Sequence, residues 1–242
     1  MDFYLQWFER LPSTNRFLKE RLALEPGLRS GTVVAAREQT EGRGRRDRSW
    51  FSGANENLAF SVLLKGNYAP GLLPSVSMAA AIAVAELLES EGLCPVLKWP
   101  NDVLVQTRKI CGILADGVPG GVVVGIGLNV NLEAVSAIDQ PATSLRIETG
   151  RRHSVDAVLQ KLLSALGGWM EQWRKNGFAA MRPAWESRIP GIGQPVTVRD
   201  GDSVRRGILH GFGPCGELLL TTPDNAVHAI WAGDCSLPLE RD

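Results

Sequence analysis

No apolar run in this chain of 242 residues reaches membrane-spanning length. The helix-like stretch Val76–Leu88 is too short and carries Glu86. A secretory leader is not expected, because the first ten residues, M-D-F-Y-L-Q-W-F-E-R, place acids where a signal peptide has bases. Net charge is missing too: 26 basic residues balance 26 acidic ones. That excludes a protein whose whole surface tracks nucleic acid, so any polyanion must meet a local patch. Cysteine is scarce, and no two of Cys94, Cys111, Cys215 and Cys235 stand at C-x-x-C spacing, so zinc is not indicated. They read as reduced, mostly buried thiols of a cytosolic protein. The chain holds no G-x-x-x-x-G-K-[ST] phosphate loop, and no G-x-G-x-x-G fingerprint follows from the G-x-G at Gly125–Gly127. Internal repeats and low-complexity tracts are likewise absent. The reading at this point is a soluble cytoplasmic protein, with no membrane or nucleic-acid partner.

What is present suits a globular protein. Hydrophobic residues make up 44%, enough for a core in one large domain, or one large and one small. Ser13 or Thr14 can cap a helix bearing Phe17, Leu18 and Leu22, which Pro26-Gly27 ends. Strands are expected at Gly31–Arg37, Asn57–Leu64, Val96–Trp99, Val103–Gln106, Ile110–Asp116 and Val122–Val130. Gly117–Gly121 reads as the turn between the last two. Long helices are expected at Leu72–Glu91 and Val155–Gly177. In the second, Trp169 and Trp173 fall on one face, as core packing requires. After Pro190 the texture changes to short β-rich pieces, which suggest a small barrel of about five strands. Helices mixed with hairpin-linked strands point to an α+β fold, with a boundary near Pro190.

Charge neutrality makes the segment Glu41–Trp50, E-G-R-G-R-R-D-R-S-W, conspicuous: four arginines fall within six positions, interleaved with Gly42 and Gly44. Glycine lets the backbone approach a ligand, arginine offers paired donors to phosphate and carboxylate, and tryptophan can stack on a flat ring. The segment taken alone also fits a solvated basic turn or an arginine–glycine nucleic-acid contact. L-K-W-P-N-D, Leu97–Asp102, is either a turn or a source of oxygen ligands for magnesium. In K-I-C-G-I-L, Lys109 opens an apolar strand that Gly112 interrupts, which marks either a snorkelling lysine or the close approach of a ligand. Asn129 and Asn131 of G-I-G-L-N-V-N either sit at a strand edge or face a ligand.

The order and spacing of these segments are far more specific than any one of them. S-T-N at Ser13–Asn15, Q-T-E-G-R-G-R-R at Gln39–Arg46, K-W-P-N-D at Lys98–Asp102, K-x-x-G-I-L at Lys109–Leu114, G-I-G-L-N-V-N at Gly125–Asn131 and T-S-L at Thr143–Leu145 resemble the biotin–protein ligase family. The resemblance implies a mixed β-sheet with flanking helices, of the class II synthetase-like biotin/lipoate ligase type, over residues 1–189, and a small SH3-like β-barrel over 190–242. It implies activation of biotin by ATP to biotinyl-5′-AMP, with transfer to a lysine of a biotin carboxyl carrier protein or carboxylase subunit. Arg43, Arg45 and Lys109 would stand at the reacting centre. Ser13, Thr14, Asn15, Gln39, Gly42, Gly44, Gly112, Leu114 and Trp50 would join them around biotin. Arg46, Arg48, Asn101, Asp102 and Asn129 would complete the ATP site with Arg45, Trp50 and Lys109, and Asn101, Asp102 and Asn129 would hold Mg²⁺.

Further expectations come from the same resemblance. The segment Gly42–Trp50 should order over its ligand, because an acyl-adenylate must be kept from water. The family loop reads G-R-G-R-x-G-R, and Asp47 stands here for its last glycine. Aspartate tolerates left-handed backbone better than most residues, so the turn can survive. The S-T-N motif begins at Ser13, which reads as a ligase without an N-terminal DNA-binding domain. Pairing through a sheet edge leaves a homodimer open. Arg205 and Arg206 read as a solvated pair. The rivals are a lipoate or octanoate ligase or transferase, a nucleic-acid module using the arginine loop, and a biotin sensor without turnover.

Overall fold

The computed structural model describes residues 1–53, 56–133 and 140–236. Its first sheet has seven strands: β1 (Tyr4–Leu11), β2 (Thr32–Gln39), β3 (Asn57–Lys65), β4 (Pro95–Lys98), β5 (Asp102–Val105), β6 (Arg108–Val118) and β7 (Gly121–Asn129). They lie in the order β1-β2-β3-β7-β6-β5-β4. The pair β1–β2 is parallel and every other pair is antiparallel, so the sheet is mixed.

Strand alternation assigns the two faces. Val33 and Ala35 of β2, with Leu58, Phe60, Val62 and Leu64 of β3, point into the main core. That core is covered by α2 (Leu73–Ser90) and α4 (Val155–Asn176). Every residue of α2 from Val76 to Ala85 is buried, which explains its run of alanines: the helix is enclosed by the sheet and α4. Trp173 is buried and its indole donates to Ser75 Oγ at 2.9 Å. On the opposite face, Val34, Ala36, Leu63 and Val123 pack against Leu18 and Leu22 of α1 (Thr14–Leu24). Ser13 caps α1 by accepting from the Arg16 amide.

The expected elements appear within a few residues of their bounds, including the hairpin between β6 and β7. Strand β1 is not anticipated. It is a half-exposed edge strand whose Y-L-Q-W-F-E-R-L carries only a weak alternation. Two short helices, α3 (Leu145–Thr149) and α5 (Arg182–Glu186), also escape the sequence reading, each being barely longer than one turn.

The second sheet comprises β8 (Pro195–Asp200), β9 (Ser203–Phe212), β10 (Leu218–Thr221), β11 (Val227–Ile230) and β12 (Asp234–Ser236), ordered β11-β10-β9-β8-β12. Five strands are thus found, but β11 and β12 are the two edges and do not pair. The described strands form an open sheet, which corrects the expected barrel closure. This sheet is tied to the first by Trp99, buried between them, whose indole donates to the Gly216 carbonyl at 3.0 Å.

Candidate functional site

Small residues carve the site into the α1 face of the first sheet. On that face β6 presents Gly112, Leu114 and Asp116, and β7 opposes them with Gly127, Gly125 and Val123. Ser61 of β3 pairs with Gly125. The result is a floor almost without side chains beneath a pocket. A Cβ on Gly127 would collide with the Trp50 indole, and one on Gly112 would come within 3.1 Å of its Cζ3 atom. A Cβ on Gly125 would drive into the Asn15 carboxamide. Contact demands glycine at positions 125 and 127, neither of which has a left-handed backbone, and leaves a tight fit at Gly112.

One end of the pocket is a neutral polar cluster. Gln39 Oε1 accepts from the Thr14 amide at 2.7 Å and lies 3.0 Å from the Thr14 hydroxyl. Ser61 Oγ lies 2.7 Å from Thr14 Oγ1 and 2.5 Å from Asn15 Oδ1. Ser13, Thr14 and Asn15 are all buried at the start of α1. Leu114 supplies apolar wall, and Phe60, Ile113 and Ile126, whose side chains belong to the main core, border the pocket from the sheet.

The other end is cationic. Lys109 Nζ sits 2.7 Å from Asp102 Oδ1 and 5.8 Å from the centre of the Trp50 ring. Arg45 Nη1 donates to Asn101 Oδ1 at 3.1 Å and to the Gly233 carbonyl at 3.3 Å. Burial pushes the Arg45 pKa down, opposed by the nearby Asp234 carboxylate. Arg43 and Arg48 also line this end. The loop folds back on itself, with the Trp50 amide donating to the Gly42 carbonyl at 2.9 Å and the Gly44 amide to the Arg48 carbonyl at 2.7 Å. Its left-handed residue is Arg46, at φ 56°, one position before the Asp47 that sequence reading nominated for the turn.

The second sheet grips this loop. Asp234 lies 3.5 Å from Arg45, 3.5 Å from Arg46 and 2.6 Å from Arg48. Arg46 also reaches Asp200 at 2.5 Å and the Arg199 carbonyl at 3.4 Å. Neither aspartate carries a local sequence signal. Asp234 lies 188 residues from Arg46, and only the packed fold joins them.

Of the residues expected around the ligands, Ser13, Thr14, Asn15, Gln39, Arg43, Gly44, Arg45, Arg48, Trp50, Asn101, Asp102, Lys109, Gly112 and Leu114 line one pocket. Gly42, Arg46 and Asn129 do not. Gly42 supports the Trp50 backbone, Arg46 faces the second sheet, and the buried Asn129 amide donates to the Thr143 carbonyl at 2.9 Å. Gly125, Gly127, Ser49 and Asp234 are lining residues that sequence reasoning did not assign. The two glycines could have been found by extending the β7 alternation from Val123.

Cys111 and Cys235 are buried, whereas Cys94 is exposed and Cys215 partly so, which corrects the expectation of mostly buried thiols. Burial raises the pKa of Cys111 well above its usual range and that of Cys235 to about 11, so neither is a ready nucleophile. Among the described residues no group of three or more His, Cys, Asp or Glu side chains gathers as a metal cluster. No helix among them is long and apolar enough to cross a membrane.

The pocket thus joins a neutral hydrogen-bonding end, an apolar glycine-floored slot and a cationic end, which suits a molecule polar at one tip and anionic at the other. Comparison with known proteins agrees. The model of the biotin/lipoate A/B protein ligase family matches residues 7–133. A biotin–[acetyl-CoA-carboxylase] ligase of Paracoccus denitrificans is 35% identical over 229 residues, 88% of this chain and 92% of that protein. One from Mycobacterium tuberculosis is 32% identical, over 92% of this chain and 84% of its own length. Among solved structures, the biotin protein ligase of Aquifex aeolicus in complex with biotin and ATP superposes with a TM-score of 0.82 at 31% identity, covering 98% of this chain and 99% of that one. The chain belongs to the biotin/lipoate A/B protein ligase family, as a biotin–protein ligase.

Proposed function

We propose that the protein is an ATP-dependent biotin–protein ligase, which activates biotin as biotinyl-5′-AMP and transfers it to a lysine of a biotin carboxyl carrier domain. The observation that carries this reading is the polarity of a single pocket, with the Ser13–Thr14–Asn15–Gln39 cluster at one end and Arg43, Arg45, Arg48 and Lys109 at the other. The ureido ring of biotin matches the first, its apolar body the glycine floor, and its carboxylate the second.

In the first step the biotin carboxylate oxygen attacks the α-phosphorus of ATP, and pyrophosphate leaves. Two anions must come together, and the guanidinium of Arg45 and the ammonium of Lys109 are placed to lower their repulsion and the charge of the transition state. Asp102, paired with Lys109, fixes where that ammonium points. Trp50 lies on Gly112 and Gly127, where its indole walls the reacting carboxyl from water. In the second step an acceptor amine attacks the acyl carbon and AMP leaves. No enzyme nucleophile is needed, and the buried thiols of Cys111 and Cys235 offer none.

Magnesium fits this site in a limited way. Asp102 offers one carboxylate at the cationic end, whereas the Asn101 oxygen already accepts from Arg45 and Asn129 is turned to Thr143. That donor set suits a cation held mostly by phosphate oxygens, with Asp102 as its protein ligand. When bound it would neutralise phosphate charge.

Residues 1–189 are proposed as the biotin and ATP unit. Residues 190–242 would take the part of the family's SH3-like domain, closing over the nucleotide through the Asp234 and Asp200 contacts to the loop. Free cysteines and the use of ATP support a cytoplasmic setting. The test is incubation with biotin, Mg·ATP and a carrier domain, with mass spectrometry of the acceptor lysine. Mass gain from biotin and none from lipoate is expected; the reverse would assign the chain to lipoate chemistry.

A further inference from the structure

The cationic end of the pocket continues past the residues that line it. Gly127 of β7 pairs with Gly112 of β6, Gly112 with Asp102 of β5, and Asp102 with Lys98 of β4. Directly paired residues of neighbouring strands share a face, so these four form one row across the pocket side of the sheet. The last member of the row is a lysine, two strand spacings or about 10 Å beyond Gly112. Strand alternation agrees: the preceding residue, Leu97, is buried in the main core on the other face, whereas Lys98 is half-buried.

Lys98 also stands at the seam between the two sheets. Burial raises the pKa of Cys235 and the Lys98 ammonium opposes that rise, which puts its charge near β12, the strand of the pocket-lining Asp234. The carboxylates on either side are already taken. Asp102 is paired with Lys109, and Asp234 with Arg45, Arg46 and Arg48. Among the described residues no acidic side chain pairs with Lys98. It is a spare positive charge at the rim of a site that handles anions. Strand β4 is a sheet edge, so the plainer role for a lysine there is to deter strand pairing, a role indifferent to phosphate.

The proposed reaction supplies a direction. Biotin runs from Ser61 of β3 across β7 to Gly112 of β6, along the sheet order β3-β7-β6-β5-β4. Displacement at phosphorus is in line, so the leaving oxygen lies on the far side of the α-phosphorus from the attacking carboxylate. Beyond Gly112 on that line come Asp102 and then Lys98. As the bond from carboxylate oxygen to phosphorus forms, the bond from phosphorus to the bridging oxygen breaks, its electron pair stays on that oxygen, and negative charge grows on pyrophosphate. We infer that Lys98 is a further catalytic residue of adenylate formation, whose ammonium holds the β- and γ-phosphates and stabilises the charge that develops on the departing pyrophosphate. This rests on the ligase reading above. A neutral adenosine in the same place would gain nothing from the charge. Lys98 acts in the first step alone, because pyrophosphate has left before the acceptor amine attacks.

The experiment separates the two half-reactions in the full chain. Lys98→Met keeps the apolar stem and removes the charge. Single-turnover pyrophosphate release from biotin and Mg·ATP should slow about tenfold or more. In reverse, the pyrophosphate concentration that half-saturates ATP synthesis from preformed biotinyl-5′-AMP should rise about tenfold or more. Transfer from preformed biotinyl-5′-AMP to a carrier domain should stay within about twofold of the parent. Unchanged pyrophosphate release, or transfer slowed as much as adenylate formation, would overturn the inference, since edge protection gives the first and a general structural defect the second. If Lys98→Met fails to fold, Lys98→Gln is put through the same three measurements with the same criteria. A parent that releases no pyrophosphate with biotin and Mg·ATP would instead sink the ligase reading.

Discussion

Replacing Lys109 or Arg45 by alanine removes one of the two cations nearest the proposed junction of carboxylate and α-phosphate. Adenylate formation is expected to fall about a hundredfold or more in each case, while a thermal melt stays close to the parent's. Pyrophosphate release under single-turnover conditions measures it. Gly127→Ala tests the floor: the added methyl would strike the Trp50 ring, so biotin affinity by calorimetry should drop roughly tenfold or more. Both cations were legible in the sequence because G-R-G-R-R and K-x-x-G-I-L are unusual strings with an evident chemical use. Asp234 and Asp116 were not. An aspartate in a β-rich tail or at the end of a strand has no local mark, and its meaning comes from which distant side chain the fold brings to it.

Among elements, the loop Glu41–Trp50 and strand β12 form one mechanical unit, since a single carboxylate at the head of β12 meets Arg45, Arg46 and Arg48. Asp234→Asn should loosen the loop, and hydrogen exchange at the Gly44 and Trp50 amides should quicken relative to the parent. The same amides should gain protection in the parent when biotin and ATP are added. Most element bounds could be read in advance, because β2, β3 and β7 show apolar runs between turn signals and α2 and α4 show helical spacing. Strand β1 could not: half its residues face solvent at a sheet edge, and what makes it a strand is its parallel pairing with β2. Five C-terminal strands were legible too, whereas closure of a barrel is a property of pairing between edges and has no signature in the strands themselves.

At the scale of the molecule, Trp99 links the sheets. It is buried in the common core and donates to a carbonyl of the β9–β10 turn. Trp99→Phe should lose about 1–2 kcal/mol of stability by leaving the Gly216 oxygen unpartnered, and Trp99→Ala about 3–5 kcal/mol, measured by urea unfolding. The polar end of the pocket has an analogous dependence on distance along the chain. Thr14 and Asn15 meet Ser61 and Asp116 across 47, 46 and 101 residues. No fragment of the chain therefore owns a recognition site, and a partly unfolded molecule has lost it altogether. Occupancy then acts as a fastener on the complete sheet: at a hundredfold excess over Kd a bound ligand should add about 2.7 kcal/mol to global unfolding, so that vitamin supply itself would govern how long the protein survives proteolysis.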